Sequence, residues 1–228
     1  MIRARKGGLL GWAWGAYVDR KFRSAFRGLW ARGRPPEGNA PLLVYANHSN
    51  WWDGFVAHAL CRARGWDGYC LMEEANLLKY RFLARLGAFS IRRHDAGSAL
   101  ETLRYALGLL SRPGAAVWLF PEGELRPFGA RPVSFERGLE VLAKHSDARC
   151  VPVGIRYAFF ESELPDVLCE VGEAHGPLPL RECEARLQAL VERLQAVHSL
   201  EGFERWVRGG RGVAERWDGA RGLGEGRA

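Results

Sequence analysis

The chain contains 228 residues, of which 47% are hydrophobic and 11% aromatic. This length and composition exclude a disordered protein and are typical of one folded domain with a sizeable core and short extensions. The net charge of +7 is concentrated at the N-terminus, since residues 1–34 contain nine Lys or Arg and one Asp while the remainder is almost neutral.

The basic N-terminal segment, residues 1–34, is predicted to form an amphipathic helical arm. Apolar side chains recur at near-helical spacing from about Gly8 to Trp30, and most basic side chains lie on other faces. The apolar positions are Leu10, Trp14, Tyr17, Val18, Phe22, Phe26 and Leu29. The tryptophans of this segment are of the kind that settle at a bilayer interface.

Two interpretations of the arm remain open. We expect it to lie peripherally on the anionic, cytoplasmic face of a membrane, because no apolar run is long enough to span a bilayer and none has the pattern of a secretory signal. The alternative is an ordinary first helix that packs on the core and has a solvated basic face. Nucleic-acid binding is not expected, since no recognised binding module accompanies the basic segment.

The rest of the chain alternates between strand and helix patterns after a linker at residues 34–39. Short apolar runs predict strands at residues 42–46, 69–72, 88–91, 116–120, 151–155 and 167–171. Helical patterns follow from residue 54, at 74–85, from a cap at Asp95 to Pro113, at 135–145, and in a long helix around residues 187–197.

This alternation predicts an α/β fold. We expect a single domain with a largely parallel mixed central sheet flanked by helices, preceded by the amphipathic N-terminal helical arm. The domain is assigned to residues 35–207, and residues 208–228, rich in Gly and Arg, to a flexible tail.

The five cysteines do not predict a metal site or a disulfide framework. Their number is odd and no CxxC pair occurs, and three of them lie in apolar runs. We therefore expect buried thiols of a reducing compartment, and assign no metal.

The stretch after the first predicted strand contains a candidate acid–base pair, His48 and Asp53. A tight strand-to-helix turn can bring this imidazole and carboxylate within hydrogen-bond distance. The Asp then fixes the tautomer and leaves the other ring nitrogen as a general base, as in a protease triad without the enzymic serine. The alternative is a helix-capping Asp next to an unrelated surface His.

Two later strand ends supply further candidates. Arg93 follows the predicted strand at 88–91, and guanidinium groups suit phosphate. Pro121 and Gly123 flank Glu122 in a stiff turn that can present a carboxylate, and Arg126 follows it. The alternatives are surface ion pairs for the two arginines and a turn-capping role for the glutamate.

These blocks together resemble the glycerolipid acyltransferases, the family typified by 1-acylglycerol-3-phosphate acyltransferase. The four blocks occur in the family's order at His48 to Asp53, Gly87 to Arg93, Phe120 to Gly123, and Val151 to Val153. Residues 135–138 are also similar to the family. Two positions differ from the family's pattern, because Leu125 displaces the arginine to Arg126 and Arg92 stands where an acidic residue is often found.

The resemblance implies transfer of a fatty acyl group from acyl-CoA or acyl-ACP, as co-substrate, to a hydroxyl of a lipid acceptor such as a lysophospholipid like lysophosphatidic acid. His48 is then the base and Asp53 its partner. Arg93, Glu122, Gly123 and Arg126 are expected to bind substrate, with backbone N–H groups near Gly123 as partners. No permanently bound cofactor is expected, and acyl carrier protein is a candidate partner.

Other functions remain open at this point. The acceptor could be a glycolipid or a carotenoid glycoside, which also offer a hydroxyl. The same His–Asp pair could activate water in a thioesterase or hydrolase, although no Gly-x-Ser-x-Gly elbow is present. A non-catalytic lipid-binding protein could retain the fold.

Overall fold

The computed structural model of the protein describes residues 1–131, 133–160, 162–213 and 217. The strands are β1 (Gly28–Gly33), β2 (Leu42–Ala46), β3 (Asp67–Glu73), β4 (Ala88–Ile91), β5 (Ala115–Leu119), β6 (Arg149–Ala158), β7 (Asp166–Val171) and β8 (Glu204–Arg208). The helices are α1 (Gly8–Ala25), α2 (Asp53–Arg64), α3 (Glu74–Lys79), α4 (Ala96–Leu110), α5 (Gly138–Lys144) and α6 (Leu180–Gln195). A 3-10 helix, Arg81–Leu86, follows α3.

The strands form one sheet in the order β4-β3-β5-β2-β6-β7-β1-β8. Neighbours are parallel except for the pairs β6–β7 and β1–β8, which are antiparallel. The predicted α/β fold with a largely parallel mixed sheet flanked by helices is therefore confirmed.

The sequence of the central strand β2 is apolar throughout because helices cover both of its faces. Leu42, Val44 and Ala46 pack with α2 on one face of the sheet, whereas Leu43 and Tyr45 pack with α4, α5 and α6 on the other. A parallel strand covered by helices on both faces has no solvent-facing side, so the usual alternation of polar and apolar residues is lost.

The prediction of a helix through Trp30 is wrong at its C-terminal end. Helix α1 ends at Ala25, and residues 28–33 form β1, an inner strand of the sheet between β7 and β8. Phe26 already has an extended backbone, and Leu29 and Ala31 then point into the core with the two-residue period of a strand.

Two other predicted helices are shorter than expected. The pattern at 74–85 is divided at Tyr80, whose φ of −117° and ψ of 58° end α3 before the 3-10 helix begins. The helix predicted at 135–145 begins only at Gly138, and the backbone N–H groups of Phe135 and Glu136 bind outside it. Phe135 donates to Glu184 at 2.8 Å, and Glu136 donates to the Pro121 carbonyl at 2.8 Å.

Strand β8 was not predicted, and the residues after it continue along the sheet edge. The N–H groups of Gly209 and Gly210 donate to the carbonyls of Arg27 and Phe26 at 3.0 and 2.8 Å. From residue 214 onward, apart from residue 217, the predicted flexible tail lies outside the described residues.

All five cysteines are free thiols, and four of them are buried while Cys70 is partly exposed. Among the residues that the structure describes, no helix has the length and apolar character needed to cross a bilayer.

Candidate active site

The candidate residues lie where parallel strands end. The C-terminal ends of β2, β4 and β5 lie at the same edge of the sheet, as parallel pairing requires. His48 follows β2, Arg93 follows β4, and Glu122 follows β5. Three separate segments of sequence are thereby brought to one edge.

Asn47 fixes the backbone immediately before His48. Its buried side-chain amide donates to the carbonyl of Ile155 at 2.9 Å and accepts from the N–H of Ile155 at 2.8 Å. The side chain therefore continues the β2–β6 ladder by one step after β2 ends, and His48 begins from a fixed backbone.

His48 and Asp53 form the hydrogen bond that their spacing predicted. The distance from His48 Nδ1 to Asp53 Oδ2 is 2.9 Å, and the Asp53 side chain is 0% exposed. The same oxygen accepts the backbone N–H groups of Ser49 and Asn50 at 2.8 and 2.9 Å. The carboxylate thus organises the turn as well as the imidazole, but it does not cap α2, whose N-cap is Trp52 and has no side-chain cap hydrogen bond.

The His48 ring is held from a second side by an aromatic neighbour. It stacks on Phe120 with ring centroids 4.5 Å apart and an angle of 23° between the planes. Its side chain is 25% exposed, so solvent and substrate can reach the ring. Because Nδ1 faces Asp53, Nε2 is the nitrogen left to accept a proton.

The loop after β5 is clamped to the loop that contains His48. The backbone N–H of His48 donates to the Glu122 carboxylate, and the carbonyl of His48 accepts the N–H of Arg126 at 2.8 Å. Arg126 Nη1 also lies 3.4 Å from Glu122 Oε1. Although Arg126 is displaced by one residue from the family's pattern, it still reaches the glutamate.

Burial raises the pKa of the Glu122 carboxyl above its usual value. The His48 N–H and the Arg126 guanidinium act in the opposite direction and offset part of this effect. The loop contacts therefore hold the Glu122 carboxylate in place, although its burial carries a desolvation cost.

Gly123 makes room for Arg93. Gly123 has a φ of +80°, and a Cβ added there would lie 2.8 Å from Arg93 Nη1. Its N–H donates to the Phe120 carbonyl at 3.0 Å, so this group is occupied by the turn itself. The expected backbone donor near Gly123 is accordingly not the glycine's own N–H.

The two adjacent arginines have different surroundings. Arg92 contacts Glu74 at 3.3 Å and Asp95 at 3.2 Å, so its charge is compensated. Within the described part of the chain, the exposed Arg93 guanidinium has no hydrogen bond or ion pair. Arg93 is the cation of this pair that can receive an anionic group from a substrate.

A narrow crevice beside the site is lined by both polar and apolar side chains. The polar lining includes His48, Glu122 and Arg126, and the apolar lining includes Phe128, Val133, Leu187 and Val191. A larger cavity of about 520 Å³ lies between α1 and α2, but none of the candidate site residues lines it. Across the described residues, no group of three His, Cys, Asp or Glu side chains could hold a metal ion.

Two contacts of the site were not predicted from the sequence. Tyr157 donates from its hydroxyl to Asp53 Oδ1 at 2.6 Å, and Asn47 braces His48. A polar residue directly after a buried strand is a signal that could have identified Asn47. Tyr157 lies 104 residues from Asp53, and no local pattern links the two.

A family model described as Acyltransferase matches residues 29–156, which is more than half of the chain. The matched segment includes His48, Asp53, Arg93, Glu122 and Arg126. No curated protein matches the chain.

Proposed function

The chain belongs to the acyltransferase family, and we propose that it transfers a fatty acyl group from a thioester of coenzyme A or acyl carrier protein to a hydroxyl of a lysophospholipid. The acceptor we favour resembles lysophosphatidic acid in having a phosphate near the reacting hydroxyl. The observation that supports this choice is the position of the uncompensated Arg93 guanidinium next to Gly123, the residue that follows Glu122 in the β5 loop.

In the proposed reaction His48 acts as a general base on the acceptor. Nε2 takes the proton of the acceptor hydroxyl while that oxygen attacks the thioester carbonyl carbon and forms a tetrahedral intermediate. The C–S bond then breaks, and the imidazolium returns the proton to the leaving thiolate. The products are an ester and a free thiol, with no covalent acyl-enzyme.

Asp53 and Glu122 have separate tasks in this scheme. Asp53 holds the Nδ1 proton of His48 and stabilises the positive charge that forms on the ring. Glu122, through the His48 N–H and Arg126, fixes the β5 loop over the imidazole and positions Arg126 near the acceptor. Arg93 then binds the acceptor phosphate.

The proposed partner of the N-terminal region is a membrane surface that contains anionic lipid. Leu9 and Trp12 on α1 are 79% and 72% exposed, and the exposed basic residues Arg20, Lys21 and Arg23 follow on the same helix. Trp51, three residues after His48, is also exposed. An apolar surface near cationic side chains suits an interface with anionic headgroups, and would hold the site where lipid acceptors reside.

The acceptor assignment is tested with a matched pair of substrates. Lysophosphatidic acid and monoacylglycerol share the acyl chain and the glycerol hydroxyl and differ in the phosphate. We expect Arg93→Ala to raise KM for lysophosphatidic acid about 10- to 100-fold, because a charge-assisted hydrogen bond is lost, and to leave monoacylglycerol turnover nearly unchanged. Product ester is measured by mass spectrometry with acyl-CoA and with acyl-ACP as donors.

Arg92→Ala is the control, since this neighbouring arginine is paired with Glu74 and Asp95. Equal loss for both substrates in Arg93→Ala, or equal effects of the two variants, would contradict a phosphate-binding role. Acylation of a glycolipid in preference to both glycerol substrates would replace the proposed acceptor. Release of free fatty acid without any ester would indicate hydrolysis.

A further inference from the structure

We propose that Tyr157 is a positioning residue of the acyl-transfer site, which acts through Asp53 to hold the His48 ring in its working orientation. This inference rests on the proposed function, since it assigns a task within that reaction.

The hydrogen bonds of Asp53 are divided unequally between its two oxygens. Oδ2 accepts from His48 and from the N–H groups of Ser49 and Asn50. Oδ1 accepts from Tyr157 at 2.6 Å, and within the described residues this is its one hydrogen bond. Because the carboxylate is fully buried, water cannot replace the phenol without a change in packing.

The Tyr157 side chain is held independently of Asp53. It lies near the end of β6, in register with Val167 of β7. Its ring packs against Phe26 with centroids 5.6 Å apart, and Phe26 in turn contacts Trp52 at 5.1 Å. The hydroxyl is therefore directed at Asp53 by the sheet and by the segment that joins α1 to β1.

The phenol remains a donor at every working pH. Burial raises the pKa of Tyr157 well above 10, and the adjacent negative charge of Asp53 raises it further. A permanent donor on Oδ1 draws negative charge away from Oδ2 and prevents rotation of the carboxylate. Oδ2 is then held towards Nδ1 and orients the imidazole.

The other titratable groups around the His48–Asp53 pair are Glu122 and Arg126 from the β5 loop and the thiols of Cys70 and Cys169. Burial raises the pKa values of both thiols, so they remain neutral. Glu122 has a raised pKa and can contribute to the pH dependence of the wild type. The test therefore compares variants in which all four groups are retained.

The variant Tyr157→Phe removes only the hydroxyl. We expect kcat at its pH plateau to fall about 10-fold or more, as for loss of a hydrogen bond to a charged group, with KM changed less than about twofold. We also expect the acidic limb of the kcat–pH profile to move to higher pH. Without the phenol, the Asp53 carboxylate interacts more strongly with the His48 ring and favours its protonated, inactive form.

The matched control is Tyr45→Phe. Tyr45 is also buried on a strand of the same sheet, and its hydroxyl lies 3.0 Å from Nε2 of His175, away from the Asp53 side of the sheet. Loss of this hydroxyl should lower thermal stability and leave the shape of the pH profile unchanged. A shift of the acidic limb in both variants would overturn the proposal.

A double-mutant cycle separates positioning from general stability. If Tyr157 acts through the Asp53 carboxylate, Tyr157→Phe in an Asp53→Asn background should lower kcat less than about twofold further. An equal loss in both backgrounds would show a merely structural role and overturn the proposal. A Tyr157→Phe variant with the wild-type kcat and pH profile would also overturn the proposal.

A second measurement applies if Tyr157→Phe does not fold. Protein in which all tyrosines are replaced by 3-fluorotyrosine keeps every hydroxyl but has more acidic phenols, which are stronger donors. The acidic limb should then move to lower pH, and no movement would overturn the proposal.

Wild type and His48→Ala are assayed in parallel to test the proposed function itself. No ester from the wild type, or full activity of His48→Ala, refutes that function. Failure of the Tyr157 predictions alone leaves it standing.

Discussion

At the scale of single residues, Glu122 is held in place at a cost. Burial raises its pKa, while the His48 N–H and Arg126 only partly offset this shift. A group whose pKa is higher in the folded than in the unfolded protein stabilises the fold below its unfolded pKa. That contribution is lost as the pH rises through the folded value. At neutral pH the charged carboxylate is therefore a net cost to folding.

Glu122→Gln should for this reason unfold at a higher temperature than the wild type at neutral pH, while its acyl transfer falls. The gain in the free energy of unfolding should stay below about 1 kcal/mol, because the Arg126 guanidinium and the His48 N–H offset part of the desolvation. The difference should shrink as the pH falls toward 4. Thermal unfolding between pH 4 and 8 measures it, with the exposed Glu124→Gln in the same loop as the control. A variant that is less stable than wild type only at neutral pH would show that Arg126 outweighs the desolvation.

The sequence allowed prediction of those site contacts that are local. His48 and Asp53 are five residues apart in one turn, so their spacing nearly determines their hydrogen bond. Glu122 and Arg93 were predicted because each follows a recognisable strand. Tyr157 and Asn47 were missed, since each contact crosses the sheet and depends on which strands are neighbours. Strand order is a property of the whole fold rather than of any one segment.

At the scale of elements, the two halves of α1 differ in burial. Val18 and Phe22 are buried, so the C-terminal half is the core helix of the alternative interpretation. Leu9, Leu10 and Trp12 are exposed, so the N-terminal half has the apolar surface expected of a membrane-contacting helix. The apolar stripe predicted from the sequence thus contains both exposed Leu10 and buried Val18 and Phe22, which periodicity alone cannot separate.

The triple variant Leu9→Ser, Leu10→Ser, Trp12→Ser tests membrane contact without removing core residues. We expect binding to anionic vesicles to weaken at least about tenfold, since three apolar side chains no longer enter the interface. The folded state should be unchanged by circular dichroism. Vesicle co-sedimentation at low and high salt measures both the apolar and the electrostatic parts.

Leu100→Ser is the control, because Leu100 is equally an exposed leucine but lies on α4, which packs on the opposite face of the sheet. If this control lost as much vesicle binding as the triple variant, α1 would not be the contact surface. Equal binding of the wild type to anionic and neutral vesicles at low salt would argue against an electrostatic contribution from Arg20, Lys21 and Arg23.

At the scale of the whole molecule, the basic N-terminal segment is partly built into the sheet. Residues 28–33 form β1, and the side chains of Arg27 and Arg32 contact the acidic residues Asp166 and Glu170 of β7. Asp166 is fully buried and also accepts from Trp30 Nε1 at 2.7 Å. Some of the positive charge in residues 1–34 therefore compensates acids of the sheet, which a count of charges along the sequence cannot reveal.

Arg27→Met should lower the free energy of unfolding by about 3 kcal/mol or more, because it leaves the buried Asp166 carboxylate with reduced compensation. Urea unfolding at neutral pH measures the loss. Arg34→Met removes a basic residue of the same segment that is exposed, and should change stability by less than about 0.5 kcal/mol. Equal stabilities of the two variants would contradict the structural role given to Arg27.

The central claim is that His48 is the base of a direct transfer from thioester to acceptor hydroxyl. The most direct measurement is the rate of ester formation by His48→Ala, compared with wild type and Asp53→Asn, in protein shown to be folded by circular dichroism and thermal unfolding. We predict that His48→Ala forms no ester above background. Asp53→Asn should lose about 10²- to 10⁴-fold in kcat, as with triad aspartates, because the imidazole is no longer held in the right tautomer. Near-native turnover in a cleanly folded His48→Ala protein would contradict the claim.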